Sequence, residues 1–456
     1  MAADMNVRQR FFPHTQDELK EIASDILRHA KELGATDSAT EISEGDGLSV
    51  SVRRGEVETI EHNRDKMVGV TVFIGKKRGN ASTSDFTRAA LKDTVAAAYN
   101  IARFTAEDSA AGLAEEELLE KTPQDLNLYH PWNIDAEEAA DLARRAEDAA
   151  FAVDKRIQNS EGASVSAQHS QFMLATSRGF MGGYPFSRHY VACAPIAGSG
   201  RDMQRDDWYT SKRNAADLAE PEAIGQYAAH RALARMGARG LDTRKCRVMF
   251  EAPLAAGILG AFVQAVSGGA LYRKTTFLVD SLGRPVFAPH IQVLEDPHVK
   301  GGMDSAPFDE EGVRTQRRNV VEDGVVQGYF LSTYSARKLG MKTTGNAGGS
   351  HNLSLRSSLT KPGDDFEEML KKLGTGLLLT ELMGQGVNYV TGDYSRGASG
   401  FWVENGKIQY PVEEITVAST LQEMFRHIEA IGADTVVRGN KEIGSVLIEK
   451  MMIAGQ

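Results

Sequence analysis

Apolar positions along this chain change period several times, and the changes mark out its elements. Leu19, Ile22, Ala23, Ile26, Leu27, Ala30 and Leu33 recur at helical spacing, which predicts an amphipathic helix over Thr15–Leu33. Thr15 and Glu18 have the spacing of a capping box, and Gly34 comes after the last turn, so both ends are signalled. Alternation takes over in Ala39–Ser43, Leu48–Val52, Val57–His62 and Met67–Ile74, with turn residues at Arg54-Gly55 and Arg64-Asp65. These read as strands. Lys76–Gly79 turns into Asn80–Ser84, and Asp85 is placed to cap a second helix, Phe86–Phe104. Residues 15–104 therefore predict an antiparallel meander with one face covered by two helices.

Residues 105–134 form an acidic, then proline-containing connector that includes Asp125–Tyr129. A helix is predicted over Ala136–Val153, and strands over Gly162–Gln168, Gln171–Ser177 and Tyr184–Ile196, with the loop Arg178–Gly183 between the last two. A helix over Pro221–Met236 closes this region, which loosely echoes residues 15–104. Next comes Val248–Gly269, VMFEAPLAAGILGAFVQAVSGG. A short strand, Arg247–Phe250, runs into Glu251-Ala252-Pro253, and Pro253 suits a first helical turn. The segment after Pro253 is apolar on every side, which predicts a buried helix. It is too short to cross a bilayer. Gly268-Gly269 is the expected stop, and Gln264 is its one polar group of any reach.

Beyond it the chain is rich in strands and glycine. Ile291–Leu294, Arg318–Glu322 and Val325–Phe330 read as strands, with Asp323-Gly324 as a hairpin turn. Gly397–Glu404 and Lys407–Tyr410 flank a second such turn, Asn405-Gly406. Glu414–Val417, a helix over Leu421–Ile428 and a buried strand over Ser445–Ile448 complete the chain. The expected fold class is α+β: an N-terminal antiparallel sheet with flanking helices, and a C-terminal, mostly antiparallel β-rich domain around a buried helix. The expected divisions are 1–105, 106–240 and 241–456.

Composition narrows the function classes. The 456 residues carry a net charge of −10, and the basic runs Lys76-Lys77-Arg78 and Arg317-Arg318 are short, which argues against a nucleic-acid footprint. No apolar run has membrane length, and MAADMNVRQRFF lacks a signal peptide's apolar core. Two cysteines, Cys193 and Cys246, imply no disulfide framework. Both read as small core residues, and the expected compartment is the cytoplasm.

Candidate chemistry is sparse. His290 and His298 bracket QVLEDP with Asp296 and Asp304 nearby, but Pro297 interrupts a strand there. His230 has Ala234 at i+4, and His169, His189 and His351 read as isolated, so no zinc-binding helix of the two-His type exists. Ser335-Ala336-Arg337-Lys338 fits S-x-x-K without its companion motifs and reads as a helix surface. Gly374-Thr375-Gly376 lacks a dinucleotide fingerprint's context, and Gly345–His351 reads as a flexible loop. The turns Arg54–Glu58 and Lys77–Ser82 read as solvated. Thr391–Trp402 is denser. It offers Asp393, Tyr394, Ser395, Ser399 and Phe401 as candidate peptide-cleft residues that an exposed strand edge would present. A tightly packed sheet with glycine bends is the competing reading.

Three stretches, Arg53–Thr83, Asn319–Ala347 and Thr391–Ala418, together with the terminal IGSVLIEKMMIAGQ, resemble the TldD/PmbA family of metallopeptidases, also called modulator of DNA gyrase. The resemblance runs over essentially the whole chain. It implies two paralogous subunits that pair. One, the TldD type, carries H-E-x-x-x-H on the helix after a buried strand and a late Cys, which together hold zinc. By position after VMFEAP, Gly257 and Phe262 stand at the two His positions and Ile258 at the Glu position, and the last Cys is Cys246. This departure implies the PmbA (TldE) type: no catalytic or metal residue and no cofactor in this subunit, zinc in a TldD-type partner, and peptides as substrates. A homodimer is expected when the chain is alone. Two other readings stay open: a peptidase active by itself as a homodimer with a site built from His290, His298 or others, and a peptide-binding or regulatory protein without a partner enzyme.

Overall fold

The computed structural model describes residues 11–455. The expectation drawn from MAADMNVRQRFF rests mostly on residues outside that range. The chain forms two compact units, one running up to Leu233 together with Pro307–Arg314, the other comprising Ala234–Ala306 and Thr315 onward.

The first unit is built on one eight-stranded antiparallel sheet. Its main path runs Lys77–Thr83, Glu56–Ile74, Asp37–Arg53, Ile157–Thr176, Pro185–Ala197 and Gln204–Arg205. Helix Gln16–Glu32 begins at Thr15 with the predicted capping box. Leu19, Ala23, Ile26 and Ala30 of this helix pack with Leu91, Val95, Ala98 and Ala102 of helix Arg88–Phe104 over Ile42, Val68, Val70, Val72, Met173 and Ala175 of the sheet. Asp85 does not cap that second helix. Thr87 does, through Ala90 N, and Asp85 instead accepts from the Thr87 amide. Helices Ala136–Phe151 and Pro221–Ala234 complete the unit.

The expected strand break at Arg64-Asp65 is absent. Glu56–Ile74 is one strand paired along its length with Asp37–Arg53. The polar run His62–Lys66 looks like a turn, but Asp46, on the neighbouring strand, binds it. Asp46 accepts from Arg64 Nε at 2.8 Å and lies 3.1 Å from His62 Nε2. The break between Gln168 and Gln171 is absent too, since Ile157–Thr176 is continuous.

The second unit contains a five-stranded barrel. Lys407–Thr420, Asp393–Glu404, Gly376–Met383, Arg244–Phe250 and Val446–Ala454 are neighbours in that order, and Thr416–Ala418 closes the ring against Met452–Ala454. Arg244–Phe250 runs parallel to Gly376–Met383 and antiparallel to Val446–Ala454. Side chains alternate. Val248, Phe250, Leu377 and Leu379 join the main core, while Met249, Leu378, Val403 and Leu447 pack against helix Phe366–Leu373. A second sheet of six strands includes Arg318–Glu322, Ile291–Glu295 and Leu353–Ser357. Both expected hairpin turns form, with positive φ at Asp323, Gly324, Asn405 and Gly406, as a two-residue hairpin of this type requires. The α+β expectation holds, with antiparallel sheets flanked by helices and a β-rich C-terminal unit around helix Ala252–Ala265.

Candidate functional site

Helix Ala252–Ala265 leaves the barrel where Glu251 N donates to Leu379 O at 3.0 Å. Ala255, Ile258, Leu259, Ala261, Phe262 and Ala265 are buried in the main core. The helix is not buried all round, as its composition predicted. Gly257 and Gln264 are exposed, and Ala256, Gly260 and Val263 partly so. Hydropathy cannot distinguish a buried small residue from one that leaves a face open. Nor do Gly268-Gly269 end it. Val266 is the C-cap, and Gly268–Tyr272 is a separate short helix. Gly268 serves close packing, because a Cβ there would sit 2.2 Å from Ser335 Oγ.

The three positions that the resemblance assigns to a zinc site have unlike surroundings. Gly257 faces open space, with no atom within 4 Å of where a Cβ would stand. Ile258 is 2% exposed and Phe262 0%. Phe262 meets Phe287 edge-on at 5.0 Å and Phe425 at 6.1 Å. Residues five apart on an α-helix lie about 140° round the axis from one another, so one position looks out and the other in. A hydrogen, a sec-butyl and a benzyl group supply no nitrogen, oxygen or sulfur donor. These side chains do not fit a zinc ion. Among the described residues, no group of three or more His, Cys, Asp or Glu is placed to hold a metal.

One polar side chain that the sequence did not single out reaches this helix. Lys441 Cε would lie 3.6 Å from a Cβ on Gly260, and its Nζ donates to Asn440 Oδ1 at 2.9 Å. Burial lowers its pKa, against the opposing pull of Asp304. Nothing in the local sequence Asn440-Lys441-Glu442 marks it. The contact depends on strand Lys441–Ile443 pairing with Leu353–Ser357.

The Asp393–Phe401 residues lie on a strand with no free edge. Asp393–Glu404 pairs with Gly376–Met383 on one side and Lys407–Thr420 on the other. Its first residues are covered by Ser395 N donating to Gly386 O and Asn388 N donating to Asp393 O. Edge pairing with a peptide is thus unavailable here, because the two neighbouring strands occupy both edges. Asp393 and Ser395 are exposed, Phe401 is half-buried against Phe366–Leu373, and Tyr394 and Ser399 are buried. Burial pushes the Tyr394 phenol up to about 12. At Gly400 a Cβ would stand 1.9 Å from Leu378 O, the close approach expected of a glycine bend.

The remaining candidates resolve into structural roles. His290 is held by Ser357 Oγ at 2.8 Å and Ile428 O at 2.9 Å, while His298 Nε2 lies 3.0 Å from Thr315 Oγ1. Gly345–His351 is tied down. Buried Glu295 accepts from Asn346 Nδ2 at 2.7 Å, from the His351 amide at 2.9 Å and from Arg318 Nε at 2.7 Å. Ser335 is buried as the third residue of a helix capped by Ser332. The turn Arg54-Gly55 is anchored, since buried Glu147 accepts from both amides at 2.9 and 2.8 Å. His169 and His189 are not isolated. Their rings lie 5.4 Å apart, with Phe11 stacked on His169 at 3.7 Å. Burial, the neighbouring His189 and an opposing Asp46 leave His169 at about 4. Both cysteines are free thiols, and burial pushes Cys193 up to about 12 and Cys246 up to about 11.

Comparison with known proteins gives this arrangement a family. Three successive profiles match: PmbA/TldA metallopeptidase domain 1 over residues 41–102, the central domain over 129–236 and the C-terminal domain over 243–455. The chain is 47% identical over 439 residues to "Metalloprotease PmbA" of Escherichia coli O157:H7, covering 96% of each chain. It is 43% identical over 440 residues to a "Metalloprotease PmbA homolog" of Haemophilus influenzae, covering 96% of this chain and 97% of the relative. Among solved structures, a candidate modulator of DNA gyrase from Thermotoga maritima superposes with a TM-score of 0.86 at 25% identity, over 95% of this chain and 100% of the other. TldE from Thermococcus kodakarensis shares the fold, with a TM-score of 0.83 at 16% identity over 95% of this chain and 100% of that one. With near-complete coverage at 47% identity, the chain belongs to the PmbA/TldD metallopeptidase family.

Proposed function

We propose that this chain is the PmbA (TldE)-type, non-catalytic subunit of a two-subunit zinc peptidase that acts on unfolded or natural peptides in the cytoplasm. The observation that carries the proposal is the set Gly257, Ile258 and Phe262, which offers no donor atom at the ligand positions and places two of the three in the core. A site without ligands cannot lower the pKa of a metal-bound water. The TldD-type partner would supply zinc and the general base. This chain would stabilise that partner and help enclose the peptide, with Asp393 and Ser395 as its exposed candidates and Tyr394, Ser399 and Phe401 behind them. Direct contact with DNA is not part of the proposal, because a net charge of −10 offers phosphate no basic stripe. The free thiols and the absence of a disulfide framework support a reducing compartment.

The test compares peptide cleavage by this chain, by the partner and by the mixture, with zinc measured on each. Activity confined to the mixture, or to mixture and partner, is the expected result. A second reading, a peptidase active alone as a homodimer, is favoured by the name "Metalloprotease PmbA" borne by the 47% identical relative. Stoichiometric zinc and cleavage by the lone chain would select it over the first.

A further inference from the structure

We propose that helices Gly268–Tyr272 and Thr333–Lys338 together present a basic, aromatic-backed surface that binds acidic stretches of an extended peptide. The chain as a whole is acidic, with 62 Asp and Glu against 52 Lys and Arg. These two helices lie in segments of the opposite sign, since neither 252–279 nor 324–363 contains an Asp or a Glu. In sequence the basic residues come as two short runs, Arg273-Lys274 and Arg337-Lys338. Packing joins them. Gly268 N donates to Phe330 O at 2.9 Å and Phe330 N to Val266 O at 3.3 Å, and Gly268 has no side chain to hold off Ser335. The two helices are therefore fixed side by side.

Two tyrosines hold the cations in place. The Tyr272 and Tyr334 rings meet edge to face, 5.8 Å apart at 79°. Arg273 lies 5.1 Å over the Tyr272 ring and donates to its hydroxyl at 3.0 Å, while Lys338 Nζ lies 5.3 Å over the Tyr334 ring. Arg273, Lys274 and Lys338 are exposed, and Arg337 and both tyrosines are half-buried. A cation already seated on a ring loses less rotamer freedom when a carboxylate arrives. A guanidinium can meet that carboxylate with two parallel N–H groups, and the ring surfaces left uncovered can take up apolar side chains of the same peptide. Lys274 has a φ of 56°, a conformation that glycine or asparagine adopts more readily, so the turn itself gives no reason for a long basic side chain there. Beyond Lys274, Phe277 N donates to Tyr389 O at 2.9 Å. The basic segment thus adjoins the loop that leads into Asp393–Glu404, the strand carrying exposed Asp393 and Ser395. A nucleic-acid strand fits less well, because two short helices give its phosphates no continuous basic track.

The inference deepens the peptide reading proposed above and rests on it only for the fate of the bound peptide, so its test measures binding without cleavage. Fluorescence anisotropy of the full chain is recorded with a labelled Glu-rich peptide, with its Gln counterpart and with a labelled oligothymidylate. The Glu-rich peptide should bind at least about tenfold more tightly than the Gln peptide, and the difference should shrink as salt rises. Arg273→Glu/Lys338→Glu should weaken that binding at least about tenfold. Arg273→Gln/Lys338→Gln should fall between this variant and the wild type, and Arg273→Lys/Lys338→Arg should keep most of the affinity. Lys20→Glu/Lys31→Glu makes the same charge change at exposed positions of helix Gln16–Glu32 and should leave binding within about twofold. Equal affinity for the two peptides overturns the inference. So does a loss with the remote pair as large as with the local pair, and so does tighter binding of oligothymidylate through Arg273 and Lys338. Failure of the peptidase reading shows separately, as a mixture with the partner that cleaves no peptide, neutral or acidic, while the Glu-rich peptide still binds.

Discussion

Phe262 and Phe287 meet edge to face, their centroids 5.0 Å apart and their planes at 75°. Phe287 in turn stacks on Phe425 at 4.6 Å. The position that the family resemblance assigns to a metal ligand is thus the centre of an aromatic cluster. Truncating a fully buried phenylalanine removes its transfer free energy and leaves a cavity. Phe262→Ala should lower stability by about 3–5 kcal/mol, read from denaturant unfolding. A loss under about 1 kcal/mol would mean that the cluster does not hold this helix.

The same geometry bears on rebuilding the site. Gly257→His is accommodated in open space. Ile258→Glu and Phe262→His place polar groups where no partner waits, which costs several kcal/mol. The triple variant should be less stable than the parent, bind no stoichiometric zinc and cleave no peptide. Zinc retained through gel filtration, together with cleavage, would show that these positions still converge on a metal geometry.

Glu147 ties a helix to a hairpin. Its carboxylate is fully buried and accepts from the amides of Arg54 and Gly55. Removing the acceptor leaves two amides without their partner, at about 1–3 kcal/mol. Glu147→Ala should cost that much in unfolding experiments. Glu147→Gln keeps one acceptor oxygen and should cost less. Equal costs for the two would point to packing rather than hydrogen bonding.

What the sequence shows plainly here is local. The capping box of Thr15 and Glu18 and the two hairpin turns arise from neighbouring residues, and all three form. The missing elements depend on distant partners. Arg64-Asp65 has turn chemistry, yet it stays extended because it pairs in register with Gly45 and Asp46 of another strand, whose Asp46 carboxylate also binds Arg64. Barrel closure joins Thr416–Ala418 to Met452–Ala454, and no periodicity encodes that pairing. Pairing with Gly376–Met383 on one side and Lys407–Thr420 on the other removes the free edge that Asp393–Phe401 was expected to present. Lys441 reaches the central helix by the same kind of long-range pairing. The open face at Gly257 is invisible to hydropathy, because glycine counts as apolar whether or not anything covers it.

Gly400 tests the barrel itself. A Cβ at this position would stand 1.9 Å from Leu378 O, 2.9 Å from its carbonyl carbon and 3.0 Å from Leu379 Cα. Those are backbone atoms of the paired strand, so no rotamer change relieves the overlap. Gly400→Ala should destabilise by roughly 1–3 kcal/mol or more, whereas Ala at exposed Gly257 should change stability little or raise it, since glycine is a poor helix residue. Similar effects at the two sites would mean that the strands separate at low cost.

His169 makes stability depend on pH in a defined direction. Its Nε2 lies 3.0 Å from the Trp132 amide. A backbone N–H can only donate, so Nε2 must keep its lone pair, and protonation breaks the bond. Burial first, then the neighbouring His189, hold the folded group at about 4, with Asp46 opposing, against an ordinary value of 6.5. Between those two values the unfolded chain binds more protons than the folded one. The stability contributed by neutral His169 is therefore complete above about 6.5 and is lost as pH falls toward 4, at no more than about 1.4 kcal/mol per pH unit for one proton. His189, also depressed by burial, adds in the same sense. His169→Gln keeps an acceptor for Trp132 but cannot titrate. Thermal midpoints measured from pH 7.5 to 4.5 should fall more steeply for the wild type than for this variant, even if the variant begins lower. Parallel profiles would show that His169 is not the group through which acid loosens this sheet.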